Sequence, residues 1–244
     1  MQETLTLATS EGDMGIHVVR PDGPGPFPVI VLFHHGPGLD EPSKAAMRLL
    51  ADAGHYVVSH DRYHRVAPWF VVTPEMRSDK EAMERFMGAL MGTTEDMVDA
   101  DLRAVFDHLD ADPAARGGAM GCIGYCIGAR SVVCSMAAHP DRFTAGVGMH
   151  PSYCTVEGPD SPHLKVPAIT GSLYIAFGAE DTTQAPGDNV PFIEAVNAMP
   201  DRRGEAEVLD GANHGFAVLG GPAHHPEAAA HAYEKALALF GRAL

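Results

Sequence analysis

The sequence predicts an α/β fold, in which a doubly wound, mostly parallel sheet carries helices on both faces. Continuous apolar runs such as residues 29–33 are typical of strands that are buried on both faces. Segments of helical length alternate with these runs along the chain, as they do in parallel sheets. Only residues 4–8 and 15–20 alternate polar with apolar side chains, which predicts an N-terminal antiparallel hairpin at one edge.

The predicted elements follow one another in a regular order. Strands are predicted at residues 29–33, 55–59, 119–123, 145–149, 174–177 and 206–209, and helices at 42–53, 75–90, 94–109, 129–138, 191–199 and 225–244. A strand, a helix and a strand of these lengths form a right-handed βαβ unit. The 244 residues contain no internal repeat and no linker, so we expect one domain that spans residues 1–244.

Charge and hydropathy exclude several kinds of partner. The chain carries 17 basic and 32 acidic residues, a net charge of −15, which disfavours nucleic acid and anionic membranes because both require a basic surface. No apolar run approaches the roughly 18 residues of a membrane span. The N-terminus lacks the basic and apolar regions of a signal peptide. We therefore expect a cytoplasmic protein with a small-molecule substrate, in an oligomeric state that the sequence leaves open.

The pattern Gly-x-Cys-x-Gly lies between a predicted strand and a predicted helix, with Cys126 at its centre. This is the pattern of a nucleophile elbow, in which Cys replaces the usual Ser. The flanking Gly124 and Gly128 let the helix pack close to the strand. At a helix N-terminus, the dipole and the free N–H groups favour a thiolate. The alternative is a buried Cys beside a tight turn, and we expect the other three cysteines to pack as small apolar residues without a disulfide.

Two further polar residues follow predicted strands nearer the C-terminus. Asp181 ends a Gly-containing turn, and His214 lies in a Gly-flanked loop. Ligands of parallel sheets bind outside the carboxyl ends of the strands, where Cys126 also lies. Taken singly, Asp181 is equally consistent with a helix cap and His214 with a solvated loop residue. Together they supply nucleophile, acid and base in the order found in α/β-hydrolases, so we predict a catalytic triad.

A nucleophile that attacks a carbonyl needs N–H donors for the developing oxyanion. The residue after the nucleophile, Ile127, supplies one donor from its backbone. The loop His35-Gly36-Pro37-Gly38 follows a predicted buried strand, and we predict the Gly36 N–H as the second donor. The alternative for this loop is a simple Gly/Pro turn.

These residues carry a resemblance to the dienelactone hydrolase family that extends over nearly the whole chain. The matching motifs are Gly-Tyr-Cys-Ile-Gly-Ala-Arg at 124–130, Gly-x-x-Asp at 178–181 and Ala-Asn-His-Gly-Phe at 212–216. The resemblance implies an α/β-hydrolase fold and a triad of Cys126, Asp181 and His214. It also implies hydrolysis of a small ester or lactone through an acyl-cysteine, with no cofactor.

Two departures from the family limit the substrate that can be predicted. His35 stands where well-studied members have a glutamate that controls the charge of the thiol, and a protonated His35 would favour a thiolate. Val218 stands where they have an arginine for the substrate carboxylate. A more neutral ester, lactone or thioester is therefore predicted. The candidate pocket residues are His35, Tyr125, Trp69, Phe70 and Arg85, with the core as the alternative place for Trp69 and Phe70.

Three other interpretations fit parts of the sequence. His225-Pro226-Glu227 has the letters of a glutamine amidotransferase motif, but the proline is placed to open the last helix. A non-catalytic relative of the fold that binds a small molecule is the second. The 14 histidines, among them His60 and His64, allow a metal enzyme as the third. Convergent ligands are not evident, so we predict scattered surface histidines and no metal site.

Overall fold

One sheet of eight strands organises the protein in the computed structural model, which describes residues 1–244. The strands are β1 (Gln2–Thr9), β2 (Gly12–Val19), β3 (Val29–Phe33), β4 (Tyr56–His60), β5 (Met120–Tyr125), β6 (Phe143–Met149), β7 (Ser172–Gly178) and β8 (Gly204–Leu209). Their order across the sheet is β1-β2-β4-β3-β5-β6-β7-β8. The β1–β2 and β2–β4 pairs are antiparallel and all other pairs are parallel. The predicted fold class and N-terminal hairpin are confirmed.

Helices cover both faces of this sheet. They are α1 (Glu41–Asp52), α2 (Lys80–Gly92), α3 (Glu95–Ala111), α4 (Ile127–Ala138), α5 (Val190–Asn197) and α6 (Pro226–Ala243). One buried apolar cluster joins α3, α4 and α5 to one face, and a second cluster joins α1 and α6 to the other. None of the helices is long and apolar enough to cross a membrane.

The central strands are buried on both faces, as their apolar runs indicate. Every residue of β3 and of β5 is buried. Both strands lead at their carboxyl ends into loops that bear the candidate catalytic groups. The sheet therefore holds the ends of β3 and β5 in fixed positions next to each other, because the two strands pair in parallel from Ile30 with Gly121 to Phe33 with Gly124.

Two predicted boundaries were wrong. The helix predicted at 75–90 is divided into a short 3-10 turn, Glu75–Ser78, and α2. Asp79 separates them because its carboxylate accepts the Ala82 N–H at 3.1 Å and so begins a new helix. The predicted turn at 124–128 is shorter than expected, because β5 continues to Tyr125 and α4 begins at Ile127. Cys126 alone forms the link.

Candidate active site

The backbone at Cys126 is strained, with φ 54° and ψ −118°. A non-glycine residue with positive φ is uncommon, and such conformations concentrate at functional sites. The flanking glycines make the turn possible. A Cβ on Gly124 would lie 2.2 Å from the Gly128 carbonyl oxygen, and a Cβ on Gly128 would lie 2.2 Å from the Phe33 carbonyl oxygen. The start of α4 therefore packs directly on the ends of β5 and β3.

The substitution Gly128→Ala is expected to destabilise the fold by about 3 kcal/mol or more, because the added methyl group meets a backbone oxygen that cannot move aside. Urea unfolding followed by circular dichroism measures the effect. Gly241→Ala is the matched control, since a Cβ at that helical position meets no atom within 4 Å. The control is expected to gain about 0.5–1 kcal/mol. A loss at Gly128 below about 1 kcal/mol would contradict this account of the elbow.

Asp181 and His214 are brought together at the ends of β7 and β8. The Nδ1–H group of His214 donates to Asp181 Oδ2 at 2.7 Å. The other carboxylate oxygen accepts the backbone N–H groups two and three residues further on, at 2.8 Å each. Gly178 permits this approach, because a Cβ there would lie 2.4 Å from the Ala212 carbonyl oxygen. Asp181 thus fixes both the orientation and the tautomer of the imidazole.

The charges of the three groups are coupled. Burial lowers the pKa of His214, but hydrogen bonds with Asp181 and Cys126 outweigh burial and raise it to about 10. Burial likewise raises the pKa of Cys126, yet the facing His214 imidazole lowers it overall. The pKa of Asp181 is lowered as well, since hydrogen bonds from His214 and from backbone N–H groups overcome the effect of burial. The arrangement favours the thiolate form of Cys126 beside the His214 imidazolium.

Two backbone N–H groups are the predicted donors for an oxyanion, those of Ile127 and Gly36. The Ile127 N–H is at the first position of α4, where no intrahelical acceptor exists, and it donates toward the Cys126 sulfur. The Gly36 N–H makes no hydrogen bond within the protein. The Tyr63 hydroxyl donates to the Gly36 carbonyl oxygen at 2.7 Å and holds that loop in place. Neither of the two predicted donors is therefore used by a backbone acceptor.

Two residues of the loop after β6 were missed by sequence reasoning. Ser152 Oγ lies 3.2 Å from the Cys126 sulfur. The ring of His150 packs edge-on against His214, with centroids 5.0 Å apart, and neither ring nitrogen of His150 has a hydrogen-bond partner. Burial lowers the pKa of His150 well below its ordinary value, so this ring is neutral. The only available signal was position, since the loop follows a strand at the same edge of the sheet.

A cavity of about 250 Å³ opens beside the elbow. Arg62 and Arg130 approach it from two elements, and one nitrogen of each lies 3.4 Å from Glu95 Oε1. Two guanidinium groups and one carboxylate leave an excess positive charge there. The lining residues are Arg62, Leu90, Met91, Thr93, Thr94, Glu95, Ile127, Arg130, Tyr153 and Val156. Sequence reasoning did not select this set, because its members come from distant segments that no motif joins.

Two of the predicted pocket residues lie together in a narrow cleft that also contains Val218. His35 Nε2 hydrogen-bonds Asp40 Oδ2 at 2.8 Å. The Tyr125 hydroxyl shares a hydrogen bond with the Tyr233 hydroxyl at 2.9 Å. No arginine or lysine lines the cleft.

The other three predicted pocket residues lie elsewhere. The indole of Trp69 packs on Gly15 in β2, where a Cβ would lie 2.3 Å from a ring carbon. The Phe70 ring contacts that of Tyr63, at 6.1 Å between centroids. Arg85 is exposed on α2. None of the three lines the cavity beside the elbow or the cleft. An aromatic pair in an irregular loop gives no periodicity from which its direction can be predicted.

The prediction of scattered surface histidines was wrong for several of them. His34 is buried, where its Nε2 accepts the Arg62 N–H at 3.4 Å, and burial lowers its pKa to about 3. His60 is buried as well, and His64 pairs with buried Asp101 at 3.1 Å. These three rings lie at or just after the carboxyl ends of β3 and β4, where the surrounding protein buries them. No group of three or more His, Cys, Asp or Glu residues is arranged to hold a metal ion.

Alkylation is expected to distinguish Cys126 from the other cysteines. Burial raises the pKa of Cys122, Cys134 and Cys154, and all three are buried free thiols. Iodoacetamide at neutral pH should therefore add one group per chain, on Cys126, which peptide mass spectrometry locates. Because the thiolate is the reactive form, the rate should rise with pH to a plateau, with a midpoint below the ordinary thiol value of about 8.5. A midpoint above that value would contradict an activated thiol.

Comparison with known sequences decides the family. The sequence model of the dienelactone hydrolase family matches residues 14–244. The chain belongs to the dienelactone hydrolase family. The family predicted from the three motifs is thus confirmed, and membership shows that the protein is a hydrolase of esters or lactones.

Individual relatives agree with the family in fold and length. A carboxymethylenebutenolidase of Rhodococcus opacus is 27% identical over 200 residues, which cover 80% of this chain and 73% of the relative. A Synechocystis sp. protein assigned as a carboxymethylenebutenolidase is 26% identical over 240 residues, 97% of this chain and 94% of the relative. The crystal structure of a Klebsiella pneumoniae protein assigned as a dienelactone hydrolase shares the fold, with a TM-score of 0.82 and 20% identity over 99% of this chain and 98% of that one.

The amidotransferase interpretation finds no support in the structure of this family member. Its candidate residue, His225, lies at the N-terminus of α6, where the ring accepts the Ala228 N–H at 3.2 Å. Pro226 occupies the first turn of that helix, as its position predicts. The His-Pro-Glu letters are therefore explained by helix capping.

Proposed function

We propose that this enzyme hydrolyses a small ester, lactone or thioester through an acyl intermediate on Cys126. His214 acts as general base and acid, and Asp181 orients His214. The observation that carries the proposal is the position of His214 between the other two groups at the carboxyl edge. Its Nδ1–H donates to Asp181 Oδ2 at 2.7 Å, and the ring faces the Cys126 sulfur. Nucleophile, base and orienting group are the three parts that covalent acyl transfer requires.

In the first half-reaction, the Cys126 thiolate attacks the carbonyl carbon and forms a carbon–sulfur bond. The oxyanion that develops accepts the N–H groups of Ile127 and Gly36. The intermediate collapses when the bond to the leaving oxygen breaks, and that oxygen takes the proton from the His214 imidazolium. For a lactone, the freed hydroxyl stays attached to the acyl group.

In the second half-reaction, water attacks the acyl-cysteine. Neutral His214 takes a proton from the water, and the same two N–H groups stabilise the second oxyanion. Collapse breaks the carbon–sulfur bond and releases a carboxylic acid, so the thiolate and the imidazolium are restored. Asp181 stays ionised throughout because it only orients and stabilises the imidazolium.

The cleft around His35, Tyr125 and Val218 has an accessible volume of only about 10 Å³ and no cationic side chain, so it offers no site for a substrate carboxylate. A carboxylate there would be buried without a cationic partner, which is costly. The names of the two curated relatives support a small lactone as the substrate class. An ester or lactone with one neutral end fits both observations.

Rapid mixing with p-nitrophenyl acetate tests the proposal. The expected result is a burst of p-nitrophenol close to one equivalent per chain, and an acetyl group on the peptide that contains Cys126 after acid quench. A rate equal to that of buffer, or an acetyl group found only on another residue, would refute an acyl-cysteine mechanism.

A further inference from the structure

The segment 150–153, which follows β6, contacts both catalytic turns. The Ser152 N–H donates to the Cys126 carbonyl oxygen at 3.1 Å. The Tyr153 N–H donates to the side chain of Gln184 at 3.0 Å, and the Gln184 N–H in turn donates to Asp181. This segment therefore connects the nucleophile elbow to the turn that bears Asp181.

The backbone of this segment is strained on both sides of Ser152. His150 has φ 41° and Tyr153 has φ 56°, and neither is glycine. Each such residue costs on the order of 1 kcal/mol or more and persists where the surroundings fix it. Here the His150 N–H is held by the Ala176 carbonyl oxygen at 2.8 Å, and the Tyr153 carbonyl oxygen accepts from Arg130 at 2.8 Å. The strain places Ser152 against the sulfur.

The Ser152 hydroxyl has one hydrogen-bond partner, the Cys126 sulfur at 3.2 Å. Ser152 is 2% exposed, so water does not compete for this contact. A hydroxyl can donate to a thiolate, and a hydrogen bond to a charged acceptor is roughly twice as strong as a neutral one. The contact is therefore stronger with the charged form of the sulfur.

His35, the other candidate for controlling the thiol, is committed to a different partner. It hydrogen-bonds Asp40, which also accepts the N–H and hydroxyl groups of Ser43 at the start of α1. Burial raises the pKa of Asp40, but these hydrogen bonds lower it overall, so the carboxylate is ionised. A protonated His35 is then neutralised by Asp40, and a neutral one leaves the pair negative. In neither state does the pair present a net positive charge to Cys126.

We infer that Ser152 is a catalytic residue whose hydroxyl donates a hydrogen bond to the Cys126 thiolate and holds the nucleophile in its charged form. This role rests on the acyl-cysteine mechanism proposed above and adds a member to it. No proton leaves Ser152, so the hydroxyl changes only the balance between thiol and thiolate. The contact that carries the inference is the 3.2 Å approach of the buried hydroxyl to the sulfur.

Four further groups lie near the Cys126 sulfur, and none of them replaces the Ser152 hydroxyl as an uncharged side-chain donor. His214 faces it from the loop after β8, and the Ile127 N–H faces it from α4. Tyr63 lies near from the loop after β4, and Cys154 from the segment after β6. Burial raises the pKa of both Tyr63 and Cys154, so neither ionises in the range where Cys126 does. The pH dependence of alkylation therefore reports on Cys126, His214 and the uncharged donors.

The test is the pH profile of iodoacetamide alkylation at Cys126. Ser152→Ala is expected to raise the apparent pKa by about one to two units, which corresponds to the loss of one hydrogen bond to a charged acceptor. Ser59→Ala is the matched control, because Ser59 is fully buried and its hydroxyl has no partner. The profile of Ser59→Ala should coincide with that of wild type.

An unchanged profile in Ser152→Ala would overturn the inference, and so would a rise in His35→Ala alone. Ser152→Thr keeps a hydroxyl on the same carbon and should retain the wild-type midpoint, so it serves if the alanine variant does not fold. A rise in Ser152→Thr equal to the rise expected for alanine would also overturn the inference. Alkylation needs no ester turnover. If wild type shows no acyl burst while Ser152→Ala still shifts the profile, the acyl-cysteine proposal fails, but the hydrogen bond from Ser152 to the Cys126 thiolate is still established.

Discussion

Replacement of Cys126 by alanine is expected to abolish both the burst and the turnover of p-nitrophenyl acetate, with a fall in kcat of at least about 10³-fold. The reason is chemical, because alanine has no atom that can form the acyl intermediate. Rapid mixing and steady-state rates measure the two effects. His214→Ala should cause a fall of similar order, since removing either the nucleophile or its base disables a unit that acts together.

Cys134→Ala is the matched control for this experiment. Cys134 is a buried free thiol on α4, and burial raises its pKa to about 12, so it is not ionised at neutral pH. Its variant should keep the wild-type burst. If Cys126→Ala retained the full rate, the reaction would not pass through the elbow. If all variants and wild type reacted at the rate of buffer, the acyl-cysteine mechanism would be refuted.

Much of the fold follows from patterns that local physics enforces. The apolar run of β3 indicated a strand buried on both faces, and the alternation in β1 matches its one exposed face. In β2 the predicted alternation does not give an exposed face, because residues 16–19 are all buried. The glycines at 124 and 128 marked the elbow because any side chain there meets backbone oxygens. The lengths of the elements then limited the connections to right-handed crossovers.

The meeting of Cys126, Asp181 and His214 was predictable for a topological reason. Parallel strands place all their carboxyl ends at one edge, so three polar residues after three strands converge there whatever their separation in sequence. The structure brings His214 and Asp181 into contact at that edge, with Cys126 facing the ring. Their catalytic roles stay a prediction that the variants described here test.

The contacts that sequence could not supply come from irregular segments. The direction of Ser152 depends on the positive φ angles of His150 and Tyr153, which nothing in their residue types indicates. The helix boundary at Asp79 could not be predicted from the pattern alone. An N-cap residue in the middle of a helical pattern can either begin a new helix or lie within a continuous one, and here it begins α2. The position of the Trp69 ring could not be predicted either, because the space for it is provided by Gly15, which is distant in sequence.

The pairing of His35 with Asp40 limits what comparison of a single position with the family can predict. The position that carries a glutamate in well-studied members holds a histidine here, and the hypothesis from the sequence was that a protonated His35 favours the thiolate. Asp40, five residues further along, instead takes the ring and caps α1 at the same time. The Cys126 sulfur is in contact with Ser152, which follows β6. Ser152 is therefore the candidate for the residue that controls the charge of the thiol.

The substitution Asp181→Asn is expected to lower kcat by a factor on the order of 10⁴, while the fold is retained. The Asn oxygen can still accept the two backbone N–H groups that Asp181 Oδ1 accepts now. Its NH₂ group would then face His214 Nδ1 and require that nitrogen to be the acceptor. The proton of the neutral ring moves to Nε2, which can no longer take a proton from the thiol or from water.

Asp188→Asn, an identical change at an exposed position nearby, is the control and should keep the wild-type rate. The iodoacetamide midpoint of Asp181→Asn should rise toward that of an ordinary thiol, because the variant loses the carboxylate that stabilises the imidazolium. A small loss of kcat with an unchanged midpoint would show that Asp181 is a structural turn residue.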